Sequence, residues 1–445
     1  MMKRLYILLI SVLSIGSLCP IHGNNWLHVY RCDSLFNSYP TDSVSGVAYL
    51  GGDGGYKNMV VTLTSDTSIV IPMTSIEKCE VGNNVPMITI TTTDYVEEIP
   101  DKENYMSATF TMRGYDIYDD VSCAVSIRGR GNSTWSYPKK PYRLKFPTKI
   151  SIGGLPAAKS YVLLADYLDH SHMRNAVALK IAQLLGMPYT NDAVPVNVTL
   201  NGEYRGAYVL TQKIGMTTAS VDLDEMTSVL FEMDVNYDED FKFISDIYNL
   251  PVQIKDPEMT DSTFAYWQAD FNAMVNAVAS DTADWAEYID INSLVDYMIV
   301  YNLVGNHEIN WPKSTYLYKS VGGKYRLGPV WDFDWAFGHD QSTDQSLLMN
   351  WEGHLLFSPF LKEIVTDERF LELYRQRWEM FKTDKSDELW SYIDEYAEMI
   401  EPAIASDMTV WHTTESFNHY VEGLKNYLNA RISFIDSNPQ SMGLF

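Results

Sequence analysis

Between residue 24 and about residue 130, polar and apolar positions alternate in short runs. Val60-Val61-Thr62-Leu63-Thr64 and Thr67-Ser68-Ile69-Val70-Ile71, with Gly51-Gly52-Asp53-Gly54-Gly55 ahead of them, predict short strands joined by glycine turns. Residues 24–84 are expected to form a small β module. It carries no paired carboxylates or histidine clusters, so a binding, tethering or spacer role is expected there. The two-residue period continues through residues 86–91, 107–112 and 123–127, which predict strands of a larger sheet. Residues 196–200 and 204–210 flank Asn201-Gly202 and predict a hairpin, because Asn-Gly suits the positive-φ positions of a two-residue turn. Between these strands, Met173, Val177, Ile181, Leu184 and Leu185 recur at helical spacing. Asp169 or Ser171 is the expected cap, and Gly186 and Pro188 the stop.

Beyond about residue 261 the period lengthens. Residues 264–279, 293–304, 367–381, 387–404 and 416–435 read as amphipathic helices, interrupted by one hairpin over 316–334 that turns at Gly322-Gly323. A β-rich half followed by a helical half predicts an α+β architecture. No internal repeat or low-complexity tract is evident.

The chain has 445 residues, 46% hydrophobic and 20% charged, which fits a folded protein with room for two or three domains. Residues 1–23 combine Lys3 and Arg4 with an apolar run from Leu5 to Leu18 and a polar exit, and so predict a secretory signal peptide. A secreted, periplasmic or cell-surface protein is expected, with no integral membrane segment after signal removal, since no later stretch approaches the roughly 20 apolar residues a membrane helix needs. Cys19 is an alternative lipid-anchor site, but the bulky Leu18 before it favours ordinary cleavage. Cys32, Cys79 and Cys123 then remain, an odd number. Cys32 with Cys79 is the expected pair, and none has the spacing of a zinc or redox site.

Acidic residues outnumber basic ones 58 to 33, for a formal charge of −25. That balance argues against nucleic acid as a partner unless positive charge is concentrated in one place. It is concentrated at Arg128-Gly129-Arg130-Gly131-Asn132-Ser133-Thr134-Trp135 and Lys139-Lys140-Pro141-Tyr142-Arg143-Leu144-Lys145-Phe146. Gly129 and Gly131 permit amides to turn toward an anion, Ser133 and Thr134 add hydroxyl donors, and Asn132 lies in the same loop. Arg143 and Lys145, two apart on a strand, are expected on one face, where they would reach adjacent phosphoryl oxygens. The alternative is that these cations neutralise the protein's own carboxylates or protect an edge strand.

The opposite charge collects in Gly328-Pro329-Val330-Trp331-Asp332-Phe333-Asp334-Trp335-Ala336-Phe337-Gly338. Asp332 and Asp334 are expected on one face of a strand, amid aromatic groups that make an uncompensated charge costly. A divalent cation such as Mg²⁺ or a buried salt bridge would compensate them. Upstream, Asn306, Glu308, Asn310 and Lys313 form a polar cluster. Glu308 is placed to accept a proton from a hydroxyl, Asn306 or Asn310 to complete a metal shell, and Lys313 to meet a phosphate.

These segments resemble the signatures of the spore coat protein H (CotH) kinase family, supported by Leu164-Ala165-Asp166-Tyr167-Leu168-Asp169 with Met173-Arg174-Asn175, by Leu200-Asn201-Gly202-Glu203-Tyr204, and by the closing helix over 421–431. The resemblance runs over about 85–438. It implies an atypical protein-kinase-like fold that binds ATP with Mg²⁺ or Mn²⁺ and phosphorylates serine in secreted or surface proteins. By the same resemblance Asp332 is the metal-holding aspartate; Asp334 and Asn306 are the further metal ligands expected from the residues themselves. Arg128, Asn132, Ser133, Lys140, Arg143 and Lys145 would border the nucleotide, without indicating which one replaces the usual kinase lysine. Glu308 stands where relatives often have a catalytic Asp, and Asp166 where many show Asn. Two other readings stay open: a non-catalytic kinase-like surface protein that binds glycan or protein partners, and a glycosyltransferase using Asp332-Phe333-Asp334 for a nucleotide-sugar.

Overall fold

The structure is a computed structural model and describes residues 26–31, 36–40, 44–52, 55–63, 65, 67–82, 85–115, 117–339, 358–411 and 415–437. The expected signal peptide, the backbone of Cys32 and the side chain of Cys79 lie outside the described residues.

The first six strands form two small antiparallel sheets. β1 (Trp26–Arg31) lies between β2 (Phe36–Pro40) and β6 (Ile76–Gly82). β4 (Gly55–Leu63) lies between β3 (Val44–Gly52) and β5 (Ser68–Pro72). Val29, Tyr39, Met59, Val61 and Ile71 pack as one apolar cluster beneath them.

The next seven strands close into a barrel. They are β7 (Met87–Thr92), β8 (Met106–Arg113), β9 (Val121–Gly129), β10 (Tyr142–Ile150), β11 (Ala158–Leu164), β12 (Val194–Leu200) and β13 (Glu203–Gln212), in the spatial order β10-β11-β13-β12-β7-β8-β9, with β9 pairing back to β10. All neighbours are antiparallel except β7 and β12. Alternating residues such as Ile88, Phe110, Ile127, Leu144 and Leu163 point inward and fill the interior, so the barrel is a packed core without a channel. Phe110, Phe146 and Tyr161 meet edge-to-face at 5.2 and 6.0 Å between ring centres. The turn between β12 and β13 is Asn201-Gly202, with φ of 50° and 84°, as the dipeptide predicts.

α1 (Arg174–Leu184) leaves the barrel after β11. Asp169 supports its start by accepting from the Met173 and Arg174 amides at 2.9 and 2.8 Å. A five-stranded sheet follows, in the order β15-β16-β14-β17-β18: β14 (Ser228–Met233), β15 (Lys242–Ile244), β16 (Pro251–Asp256), β17 (Thr315–Ser320) and β18 (Arg326–Leu327). Helices α2 (Asp261–Val278), α3 (Ile291–Val304), α4 (Ser358–Val365), α5 (Glu368–Asp384), α6 (Ser386–Trp411) and α7 (Phe417–Ser437) build the second large core. α3 is buried nearly all round, with Leu294, Val295, Met298, Ile299 and Val300 inaccessible to solvent. Every described helix was too short or too polar to meet the requirement for crossing a membrane.

The α+β class stands. One local expectation is corrected: Asp332 and Asp334 do not share a strand. The last strand among the described residues ends at Leu327, and Asp332 has a left-handed backbone with φ of 66°. The hydrophobic run there reflects burial of Val330, Phe333 and Ala336 in the helical core, not a sheet pairing.

Candidate functional site

One cavity of about 570 Å³ lies where the barrel, the five-stranded sheet and the loops around α3 meet. From the barrel come the β9–β10 connection, Arg143 on β10, Val162 and Leu164 on β11, Asp166 just beyond β11 and Lys213 just beyond β13. Glu232 on β14, Lys255 on β16 and Tyr316 on β17 supply the facing wall. Glu308, Lys313, Ser314, Trp331, Asp332 and Asp334 complete it. The glycine-rich basic segment and the tryptophan-flanked aspartates, some two hundred residues apart in the chain, therefore border a single crevice.

The cationic side is crowded. Burial disfavours the charged form of Arg143, and Arg128 and Arg130 add repulsion. Burial pushes Lys213 down to about 8, with Arg143 contributing. The Nε atoms of Arg128 and Arg143 are buried and without a hydrogen-bond partner among the described residues. Cations held together with donors to spare form a surface ready for an anion. Gly131 has φ of 83° and presses against the Thr134 side chain, a conformation and a closeness that suit glycine.

Among the carboxylates lining the anionic side are Glu308, Asp332, Asp334 and Asp166. Burial raises Glu308 to about 8, with Asp332 the next cause. Burial raises Asp334 to about 7, again with Asp332 contributing. Burial also raises Asp332, against the pull of Arg130 and Lys313, and holds Asp166 well above the usual carboxylate range, reinforced by Asp334. Lys313 sits 3.3 Å from Glu308. Asp166, Ser314 and Asp332 all have left-handed backbones, with φ of 48°, 47° and 66°. Such conformations cost on the order of 1–3 kcal/mol each and cluster at functional sites.

Asn175, at the start of α1, ties this side together. Its Oδ1 accepts from the Phe333 amide at 2.9 Å, which fixes the orientation of its amide. Its Nδ2 then donates to Asp334 Oδ1 at 2.6 Å and to Asp166 Oδ1 at 3.1 Å. The next residue back, Arg174, donates to the Asp334 carbonyl at 2.8 Å. No three His, Cys, Asp or Glu side chains among the described residues are grouped tightly enough to hold a metal by themselves. Mg²⁺ and Mn²⁺ need only one or two carboxylates when water and phosphate complete the shell, so the donor set fits a hard divalent cation brought in with an anion.

Of the residues singled out from sequence, Arg128, Asn132, Ser133, Arg143, Glu308, Asp332 and Asp334 border the cavity. Lys140, Lys145 and Asn306 are placed elsewhere. Lys140 Nζ donates to the Trp135 carbonyl at 2.8 Å, and Lys145 lies over the Tyr105 ring. Asn306 uses both ends locally: Nδ2 donates to the Asp332 carbonyl at 2.9 Å, and Oδ1 accepts from the Glu308 amide at 3.1 Å. It holds the two acidic loops together.

The structure adds Lys139, Lys213, Asn175 and Asp407. Lys139 borders the cavity and is buried, with Nζ 2.6 Å from Asp407 Oδ1 on α6. Asp407 also accepts from the Ala207 amide at 2.8 Å and approaches His172 Nε2 at 3.2 Å. Burial opposes its charge, but Lys139 and His172 outweigh that and hold it at about 2. Lys213, the cation directly after the apolar β13, carried a readable signal. Asp407, inside a helix, carried none.

A mixed α+β protein with a barrel on one side of a charged cleft and a helical body on the other, whose cleft opposes clustered cations to clustered carboxylates, is the class that fold and site define. Residues 127–435 match the CotH kinase protein family, and the chain belongs to it. That membership indicates a kinase-type function. No curated protein matches the chain.

Proposed function

We propose that the chain is an exported, ATP-dependent kinase of atypical kinase-like arrangement that transfers phosphate to serine in secreted or surface proteins, with residues 85–438 as the kinase unit and residues 24–84 as a tethering module. The observation that carries this reading is the two-sided cavity: Arg128, Arg143 and Lys213 oppose Glu308, Asp332, Asp334 and Asp166. Such a charge pattern complements a polyphosphate carrying a divalent cation, and not a neutral sugar or an unmodified peptide.

In the reaction the serine hydroxyl oxygen attacks the γ-phosphorus, the bond from that phosphorus to the β–γ bridging oxygen breaks, and ADP leaves with the bond's electron pair. Glu308 accepts the hydroxyl proton, with Lys313 beside it to stabilise the carboxylate that must be present first. Arg128, Arg143 and Lys213 hold phosphoryl oxygens, and their mutual repulsion is relieved when negative charge arrives. Asp332 and Asp334 would hold Mg²⁺ or Mn²⁺, which neutralises charge on the phosphates when bound.

Incubating the purified chain with ATP labelled at the γ-phosphate, Mn²⁺ and serine-bearing peptides tests the reading. Transfer is expected, and Asp332→Ala is expected to abolish it. An Asp332→Ala protein that binds ATP with unchanged metal dependence would remove the assigned ligand role. Thermal stabilisation by a nucleotide-sugar in preference to ATP would favour glycosyl transfer.

A further inference from the structure

Lys145, outside the cavity, continues its cationic side onto the outer face of the barrel. It lies two residues beyond Arg143 on β10, and side chains two apart on a strand share a face. That face is the outer one, because Leu144 and Phe146 fill the barrel interior and Lys145 is exposed. Arg143 stands directly opposite Arg128 on β9. Lys145 stands opposite Ser126 on β9 and Ser160 on β11, and Ser126 stands opposite Ser107 on β8. Residues opposite one another in a strand pair point to one side, so Ser107, Ser126, Lys145 and Ser160 form a row across four adjacent strands. With strands about 4.8 Å apart, the row is about 14 Å long.

The three serine hydroxyls have no protein partner among the described residues. Arg128, Arg143, Lys145 and Lys213 likewise make no ion pair among them, in a chain of formal charge −25. Neutralising the protein's own carboxylates therefore does not account for these cations. Protection of an edge strand does not either, since β10 is paired on both sides. Like charges directly opposite each other, as at Arg128 and Arg143, are destabilising. Tyr105 steadies the arrangement: its ring centre lies 5.1 Å from the Arg128 guanidinium and 5.6 Å from Lys145 Nζ, contacts that hold both cations without cancelling their charge.

We infer that this outer face is a binding track for linear inorganic polyphosphate, whose chain leaves the cavity at Arg143 and runs over Lys145 and its flanking serines. The repeating unit matches the mixture of side chains: each phosphate offers charged oxygens to a cation and acceptor oxygens to a hydroxyl. A nucleic acid would call for open aromatic faces on which bases stack, and Tyr105 is already engaged by Arg128 and Lys145. The track rests on the proposed function only in taking Arg128 and Arg143 as phosphate ligands.

Calorimetric titration of the full chain in metal-free buffer compares inorganic triphosphate with long-chain polyphosphate. The long chain is expected to bind at least about tenfold more tightly. Lys145→Ala is expected to lose that gain and to leave triphosphate affinity unchanged. Ser126→Ala combined with Ser160→Ala alters no charge and should weaken only the long chain, by several-fold. Lys385→Ala removes the same charge from the helical body and should change neither affinity. A long chain bound no more tightly than triphosphate, or an equal loss in Lys385→Ala, overturns the track and leaves the cavity reading standing. Displacement of the long chain by single-stranded DNA at equal phosphate concentration overturns the choice of ligand. Long-chain binding without triphosphate binding supports the track and removes the cavity reading, and binding of neither overturns both.

Discussion

Tyr427 on α7 leaves no room for a β-carbon on Gly305, the left-handed residue that ends α3: a Cβ built there would fall inside the contact radius of the tyrosine hydroxyl. The same ring lies 3.0 Å from where a Cβ on Gly338 would stand. Gly305 precedes the loop that carries Glu308, and Gly338 closes the segment that carries Asp332 and Asp334. One ring is thus packed against the ends of both acidic segments. Gly305→Ala is expected to cost more than the about 1–2 kcal/mol of the left-handed backbone alone. Tyr427→Phe, which removes the hydroxyl, should recover part of the excess. A double-mutant cycle by urea unfolding measures the coupling, and simple additivity would contradict the packing.

Stability in the absence of metal should fall as pH rises. Glu308 moves from an ordinary 4.5 to about 8 in the folded chain, so the folded state holds a proton that the unfolded state has released. Its contribution is complete below the unfolded value and disappears as pH rises through the folded one. Melting temperatures of metal-free protein are expected to decline between about pH 5 and pH 8.5. Glu308→Gln should flatten the decline, with a residual slope from Asp334, which moves to about 7. An identical pH profile in the variant would show that Glu308 does not carry the effect.

Arg143 should trade stability against anion binding. Burial and the neighbouring Arg128 and Arg130 all oppose its charge. Arg143→Met is expected to be neutral or to stabilise by on the order of 1 kcal/mol in urea unfolding. The same variant should bind inorganic triphosphate at least about tenfold more weakly, the equivalent of one charge-assisted hydrogen bond. Unchanged triphosphate affinity in calorimetry would take Arg143 out of the anion site.

Much of this organisation can be read from the sequence, and the failures have a common cause. Asn201-Gly202 announces its hairpin because the turn is decided by two residues, and the periodic helices α2, α3, α5, α6 and α7 are legible for the same local reason. β14 is not, since all six of its residues are buried and no alternation survives. α4 also escaped notice, being a short eight-residue element. At the site, residue type pointed to Arg128 and Asp332. The choice between Lys139 and Lys140 depended on Asp407, 268 positions downstream of Lys139, which no local pattern announces.

The Lys139–Asp407 pair should be costly to break. Both partners are buried, and Asp407 also accepts the Ala207 amide. Asp407→Asn is expected to destabilise by about 3–5 kcal/mol, because it leaves a cation in the interior without its counter-charge. Lys139→Met together with Asp407→Leu should recover a substantial part of that loss. Urea unfolding of the three proteins checks both statements, and a double variant no more stable than Asp407→Asn would contradict the account.

Asp407 also bears on when, during synthesis, the cleft is finished. Lys139 is made 268 residues before its counter-charge, and Tyr427 lies later still. A ribosome must make the chain through α6 and α7 before the barrel loop and the acidic loops can be clamped in register. The recognisable motifs therefore precede the residues that clamp them, and the crevice becomes competent only once α6 and α7 have been made.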